Sequence, residues 1–260
     1  MKLIDTHCHL DAEYFPTGPD DVLLRARNAG VCGFMVVGVG ATLEPARAAV
    51  KLAESRAEVA AAVGVHPHDA TTLDDAAERE LRELGAREAV AAIGEIGLDY
   101  HYDHSPRDVQ RRTFARLVRL ARELGKPIVV HTREAPEDTL AILDAEGARD
   151  VGGIIHCFSE DEKFARRALE LGFDLSFSGI VTFKSARDVA AVAASAPLDR
   201  IHVETDSPYL APVPMRGKPC EPSYVLHTAR RVAELRKTTL EELAPALVAN
   251  AERRLRRSFA

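Results

Sequence analysis

The sequence predicts an α/β fold, a single-domain (β/α)8 TIM barrel over residues 1–260. Three observations predict it. Eight apolar, β-rich runs recur at similar intervals, stretches of helical periodicity separate them, and the metal-ligand-type residues stand where those runs give out. Strand–helix alternation of this kind calls for parallel strands with helical crossovers. The count and the length favour a closed barrel. An open doubly wound sheet is the rival. No GxGxxG follows the first run, and the ligand-type residues spread over too many strands for it.

The runs are residues 2–9, 32–39, 59–66, 89–96, 128–131, 153–158, 173–178 and 201–204. Between the fourth and fifth lies VQRRTFARLVRLAREL, residues 109–124. Its Phe114, Leu117, Val118, Ala121 and Leu124 share one face against Arg and Glu on the other. Gly30, Gly125 and Gly172 follow helical patterns and suit C-terminal caps. Pro106 and Pro136 sit where helices should begin. Helical stretches at 223–236 and 239–257 would close the barrel. No Pro/Gly/Ser-rich linker or internal repeat marks a second domain.

Composition sets outer bounds. Of 260 residues, 46% are hydrophobic and 28% charged, which is ordinary for a globular protein. The net charge of −6 argues against wholesale adhesion to nucleic acid, but bound cations and local Arg or Lys can invert the sign within a cleft. The N-terminus lacks the apolar core of a signal peptide, and no apolar run is long enough to cross a bilayer. Cys8, Cys32, Cys157 and Cys220 lack CxxC spacing and read as small buried hydrophobes in a reducing compartment. The expectation is a cytoplasmic monomer with no membrane partner.

Six residues carry the chemistry: His7, His9, Glu95, His131, His156 and Asp206. His7 and His9 form H-x-H on a strand, so both imidazoles face one way. Asp5 shares that face and can steady a ligating ring. Glu95 ends a buried run, where a carboxylate is costly unless paired or metal-bound. Its two oxygens can bridge two cations, and a salt bridge to an Arg is the equal alternative. His131 and His156 each close a branched apolar run; either alone reads as a hydrogen-bonded core histidine. Asp206 reads as an Asx-turn before Ser207-Pro208 or as a ligand that also takes a proton from attacking water. In a barrel, strand ends converge on one face. The six together then suit a pair of divalent cations, Zn²⁺, Mn²⁺ or Fe²⁺ by ligand type, with Mg²⁺ preferring oxygen. Glu95 and Asp206 are the catalytic candidates. Arg133, Lys184, Arg216, Lys218, His66 and His68 are placed to meet phosphate. Tyr100 and Tyr209 are placed to stack on a base or ribose. Each of these also reads as an ordinary loop residue.

The motifs IDTHCHLD, GVHPH, IGEIGLDYH, PIVVHTR, IIHCFS, ETDSPYLAP and RGKPCEPSYV run the length of the chain. In them the sequence closely resembles the TatD family of metal-dependent deoxyribonucleases, within the amidohydrolase-like hydrolases. The resemblance implies a TIM-barrel hydrolase with two divalent cations (Mg²⁺, Mn²⁺ or Zn²⁺). It implies one cation on His7, His9, Glu95 and Asp206, and the other on Glu95, His131 and His156, with Glu95 bridging. It also implies cleavage of DNA phosphodiesters as a 3′-to-5′ exonuclease on single strands, with RNA trimming or deacylation of D-aminoacyl-tRNA in some relatives. The family usually carries Arg-Asn-Glu-Pro after the eighth strand, where this chain has Pro219-Cys220-Glu221-Pro222. A cation and an amide are lost there, which bears on substrate preference and leaves the ligands intact. Two rivals stand beside a nuclease: an amidohydrolase acting at the same two-metal site, and an inactive nucleic-acid-binding scaffold.

Overall fold

The computed structural model describes residues 2–11 and 14–259. Among them are eight strands: β1 (Leu3–Cys8), β2 (Val31–Gly38), β3 (Val59–Val63), β4 (Val90–Asp99), β5 (Ile128–Arg133), β6 (Gly153–Ile155), β7 (Phe173–Phe177) and β8 (Ile201–Val203). Nine α-helices accompany them: α1 (Pro19–Asn28), α2 (Glu44–Ser55), α3 (Asp75–Gly85), α4 (Arg107–Leu124), α5 (Pro136–Ala145), α6 (Glu162–Glu170), α7 (Arg187–Ser195), α8 (Val225–Leu235) and α9 (Leu240–Leu255). The strands follow one another in chain order in one sheet. The chain divides into two compact units, residues 1–36, 156–165 and 175–260, and residues 37–155 and 166–174.

In the first unit β1 pairs in parallel with β2, Leu3 opposite Val31 and Asp5 opposite Phe34. β7 pairs in parallel with β8, Leu175 opposite Ile201. A parallel bridge joins Cys8 to Ser207, so the end of β1 lies against the chain that leaves β8. Thr6 Oγ1 bonds Ser176 Oγ and the Val203 carbonyl, linking β1 to both strands. A Cβ at Gly33 would stand 2.6 Å from the Phe259 ring, so glycine is what lets this phenylalanine pack on β2. Thr239 and Glu242 form a capping box at the start of α9. Farther along α9, Asn250 donates to the carbonyls of Leu198 and Ile201.

In the second unit β3, β4, β5 and β6 pair in parallel in that order. Their apolar side chains are buried throughout β3 and β4, as strands covered on both faces require. Ile93 stands opposite Ile128 but Ile96 opposite Val130, so β4 carries one extra residue between them. That bulge falls at Gly94-Glu95, where it re-aims the glutamate. Gly97 follows with φ +149, and a Cβ there would meet the His131 carbonyl oxygen at 1.9 Å. Only glycine lets β4 lie this close to the strand carrying His131. Helix α4 buries Phe114, Leu117, Val118 and Ala121 as its periodicity predicts, and Gly125 caps it in the left-handed region at φ 64.

Candidate metal centre

The first unit gathers His7, His9, His156 and Asp206. His7 is fully buried on β1, His9 follows its end, His156 follows β6, and Asp206 lies beyond β8. The His7 and His9 Nε2 atoms are 3.3 Å apart, and Asp206 Oδ1 lies 3.8 and 3.7 Å from them. Bonds of 2.0–2.1 Å to a tetrahedral cation put neighbouring ligand atoms about 3.3–3.4 Å apart. The three atoms are therefore spaced to share one ion. His156 stacks on His7 with ring centroids 3.8 Å apart. Its ligand atom, with one each from His7 and Asp206, falls inside a 4.8 Å group. Two or three imidazoles with one carboxylate fit Zn²⁺, Mn²⁺ or Fe²⁺.

Backbone contacts hold these side chains in place. Asp206 N–H donates to the His7 carbonyl and His9 N–H to the Ser207 carbonyl, at 2.9 and 2.8 Å. Asp206 has φ 56 and Cys157 φ 45, left-handed positions that few non-glycine residues occupy and that gather at functional sites. Two buried carboxylates stand behind these ligand-type side chains. Glu204 Oε1 accepts from His156 Nδ1 at 3.0 Å and from Cys157 N–H at 2.6 Å. With its proton on Nδ1, His156 presents the lone pair on Nε2. Burial pushes Glu204 up, but the histidines His156 and His7 outweigh it and hold the carboxyl below its ordinary range. Asp5 does not steady a ligating ring, as the strand pattern suggested. Its oxygens accept from His7 N–H, Thr205 N–H and the Thr205 hydroxyl. Burial pushes Asp5 up to about 8 in spite of the Thr205 bonds.

The second unit gathers His66, Glu95 and His131, whose ligand atoms also fall within 4.8 Å of one another. Glu95 Oε1 lies 2.8 Å from His131 Nδ1 and 3.4 Å from His66 Nε2. His66 was expected at the substrate, and it sits against the ligand-type pair. Its Nδ1 accepts from His68 N–H, which leaves the ring proton on Nε2, facing Glu95. Burial pushes His66 down to about 4, so it is a neutral donor at physiological pH. Sequence reasoning did not single out Asp99. Its Oδ2 bonds His131 Nε2 at 3.2 Å and His68 Nε2 at 2.9 Å, and its Oδ1 accepts from the N–H groups of His101 and Tyr102. Burial raises this carboxyl, but those imidazoles and N–H groups hold it well below the usual range.

The expected substrate residues divide. Arg133 ends β5 with its guanidinium 4.7 Å from the Tyr102 ring centroid, and Arg216 lies 4.1 Å from that of Phe183. Among the described residues neither forms an ion pair with a carboxylate. Tyr209 is 50% exposed, edge-on to His9, with its hydroxyl on that of Tyr14. Lys184 and Lys218 are exposed loop residues. Tyr100 is half-buried, with Arg107 over its ring at 4.4 Å and its hydroxyl donating to Asp138 at 2.5 Å. Of the departures after β8, Pro219 is exposed, whereas Cys220 is buried with its N–H on the Pro208 carbonyl. Glu221 pairs with Arg25.

Known proteins share this arrangement of elements. A family model described as TatD related DNase matches residues 4–256. YabD of Bacillus subtilis, named as an uncharacterized metal-dependent hydrolase, is 43% identical over 254 residues, covering 98% of this chain and 99% of its own length. YcfH of Escherichia coli K12, named likewise, is 45% identical over 249 residues, covering 94% and 92%. The crystal structure of YJJV, a TatD homologue from Escherichia coli K12, matches with a TM-score of 0.88 at 29% identity, covering 96% of each chain. A TatD family hydrolase from Entamoeba histolytica, at 24% identity and a TM-score of 0.85 over 97% of each chain, shares the fold. The fold is thus an α/β barrel of eight parallel strands, as the strand–helix alternation predicts. A match over nearly the whole length, to the model and to these relatives alike, shows that the chain belongs to the TatD-related DNase family.

Proposed function

We propose that this member of the family is a metal-dependent hydrolase that cleaves phosphodiester bonds of nucleic acid, as a 3′-to-5′ exodeoxyribonuclease on single strands. The observation that carries the reading is the spacing of His7 Nε2, His9 Nε2 and Asp206 Oδ1 at 3.3–3.8 Å. Spacing of that kind suits a shared divalent ion. The family description and the names of the relatives point the same way. His7, His9, His156 and Asp206 are the ligands offered by the first unit, and Glu95 and His131 those offered by the second. Bound divalent cations supply Lewis acidity toward a phosphoryl oxygen and lower the pKa of water. Asp206 Oδ2 takes the proton of the attacking water while Oδ1 faces the histidines. Glu204 keeps His156 in the tautomer that presents Nε2 inward. Arg133, held on a ring and not on a carboxylate, offers its N–H fork to a phosphate oxygen and to the charge that develops there.

Digestion of end-labelled single-stranded DNA and RNA, with Mg²⁺, Mn²⁺ or Zn²⁺ and with a chelator, tests the proposal. It expects a ladder of shortening products from the 3′ end that vanishes with the chelator. Asp206→Asn should abolish that ladder while leaving the melting temperature within a few degrees. Full cleavage by Asp206→Asn would remove Asp206 from its role. A ladder indifferent to chelator would end the metal reading.

A further inference from the structure

We propose that Tyr102 is the stacking plate for a nucleobase of the substrate strand, next to the phosphate taken by Arg133; this rests on the nucleic-acid reading above. Tyr102 is 52% exposed, yet its position is fixed. Asp99 Oδ1 accepts from its N–H at 2.9 Å and from that of His101 at 3.0 Å. Gln110 locks the same turn, accepting from Asp99 N–H and donating to the carbonyls of Asp99 and Ser105. Among the described residues the Tyr102 hydroxyl has no hydrogen-bond partner, in contrast to Tyr100, whose hydroxyl donates to Asp138. A large ring held open by its own backbone, with no partner for its polar end, is not serving the core.

Its neighbours define what it would hold. His104 lies parallel to it within 4°, centroids 5.5 Å apart, and His68 and His101 meet it edge-on. Arg133 rests over the ring at 4.7 Å and keeps its donors for an anion. One imidazole, His68, separates the plate from His131, with centroids 5.5 Å from Tyr102 and 6.3 Å from His131. A π-face beside an unpaired guanidinium, one ring away from ligand-type residues, matches a base and its phosphate. Single strands are held in this way, by stacking that tolerates any base. Asp99 joins the two functions, since one carboxyl oxygen bonds His131 and the other pins the turn that carries Tyr102.

The test compares affinities of metal-loaded wild-type, Tyr102→Ala and Tyr102→Phe protein for cleavage-resistant phosphorothioate oligonucleotides, read by fluorescence anisotropy. One oligonucleotide carries bases throughout, and one of equal length is abasic. Tyr102→Ala should weaken binding of the base-bearing strand by roughly tenfold, Tyr102→Phe should retain it, and neither should change binding of the abasic strand. Unchanged affinity in Tyr102→Ala, or equal losses on both strands, overturns the stacking plate. A wild-type protein that binds and cleaves nucleic acid while Tyr102 is indifferent loses only this proposal. A wild-type protein that neither binds nor cleaves any strand brings down the nuclease reading, and the plate with it.

Discussion

Glu204→Gln separates a carboxylate that tunes the metal centre from one that merely fills space. The substitution keeps the shape of a fully buried side chain and removes its charge. In the wild type, Oε1 accepts from His156 Nδ1 at 3.0 Å and from Cys157 N–H at 2.6 Å. Hydrogen bonds to a charged acceptor contribute about 1.5–3 kcal/mol and neutral ones about 1 kcal/mol, so the metal-free protein should lose on the order of 1–2 kcal/mol. For a chain of this size that lowers the melting temperature by roughly 2–8 °C. Loss of the partner that orients a ligating imidazole should cost a further 10- to 100-fold in metal affinity, about 1.4–2.7 kcal/mol. Calorimetric titration of the metal-free protein with Zn²⁺ or Mn²⁺, beside melting curves with and without metal, reads both effects. The pH dependence supplies a sign. The Glu204 carboxyl is held below 4.5 in the fold, so its contribution is complete above that pH and fades as pH falls through the lower folded value. Wild type and variant should therefore differ most near neutrality and converge in acid. A variant with reduced stability but wild-type metal affinity would refute the orienting role.

Gly97→Ala should cost about 4 kcal/mol or more, since the new Cβ would stand 1.9 Å from the His131 carbonyl; a melting temperature within two or three degrees of wild type would show that β4 can move aside. Arg133→Ala should raise KM about tenfold for single-stranded DNA, and Arg133→Lys should recover part of the loss as a point charge without the planar fork. The slope of log affinity against log salt should fall by about 0.7 in Arg133→Ala, and an unchanged slope would place the guanidinium away from phosphate.

The strands were legible because branched apolar runs have few other uses, and all eight runs appear as strands. Their ends were less so. The third run continued to residue 66, but β3 stops at Val63 and His66 caps a 3₁₀ turn. The sixth and eighth runs also stop short, because the chain turns away to aim His156 and Asp206, through positive φ at Cys157 and Asp206. Nothing in β4 announces a bulge at Glu95, because register is a property of two strands and is set by how Ile96 meets Val130. Ligand-type residues could be read from the chain, whereas the carboxylates behind them could not. Glu204 is 48 residues from His156, and Asp99 is 32 from His131. The choice between Tyr100 and Tyr102 was equally hidden. It depends on Arg107 and Asp138, in the two helices that follow, which engage the ring and the hydroxyl of Tyr100, whereas the Tyr102 ring, with Arg133 over it, stays half exposed.

One contact explains why DTH near the N-terminus and ETD after the eighth strand act as a pair. Asp5 accepts from the N–H and the hydroxyl of Thr205 and from the N–H of His7, so it fastens β1 to the middle residue of the later motif. With Thr205 fixed, its two neighbours diverge. Glu204 turns inward to His156, and Asp206, in the left-handed region, turns toward His7 and His9. Burial pushes the aspartate up to about 8, whereas the histidines hold Glu204 beside it below its ordinary range. Two ionised carboxylates so close and so buried would repel one another. Dividing the roles, one group to hold the backbone and one to hold the imidazole, lets a single tripeptide offer both a ligand-type carboxylate and the partner of a ligand-type imidazole.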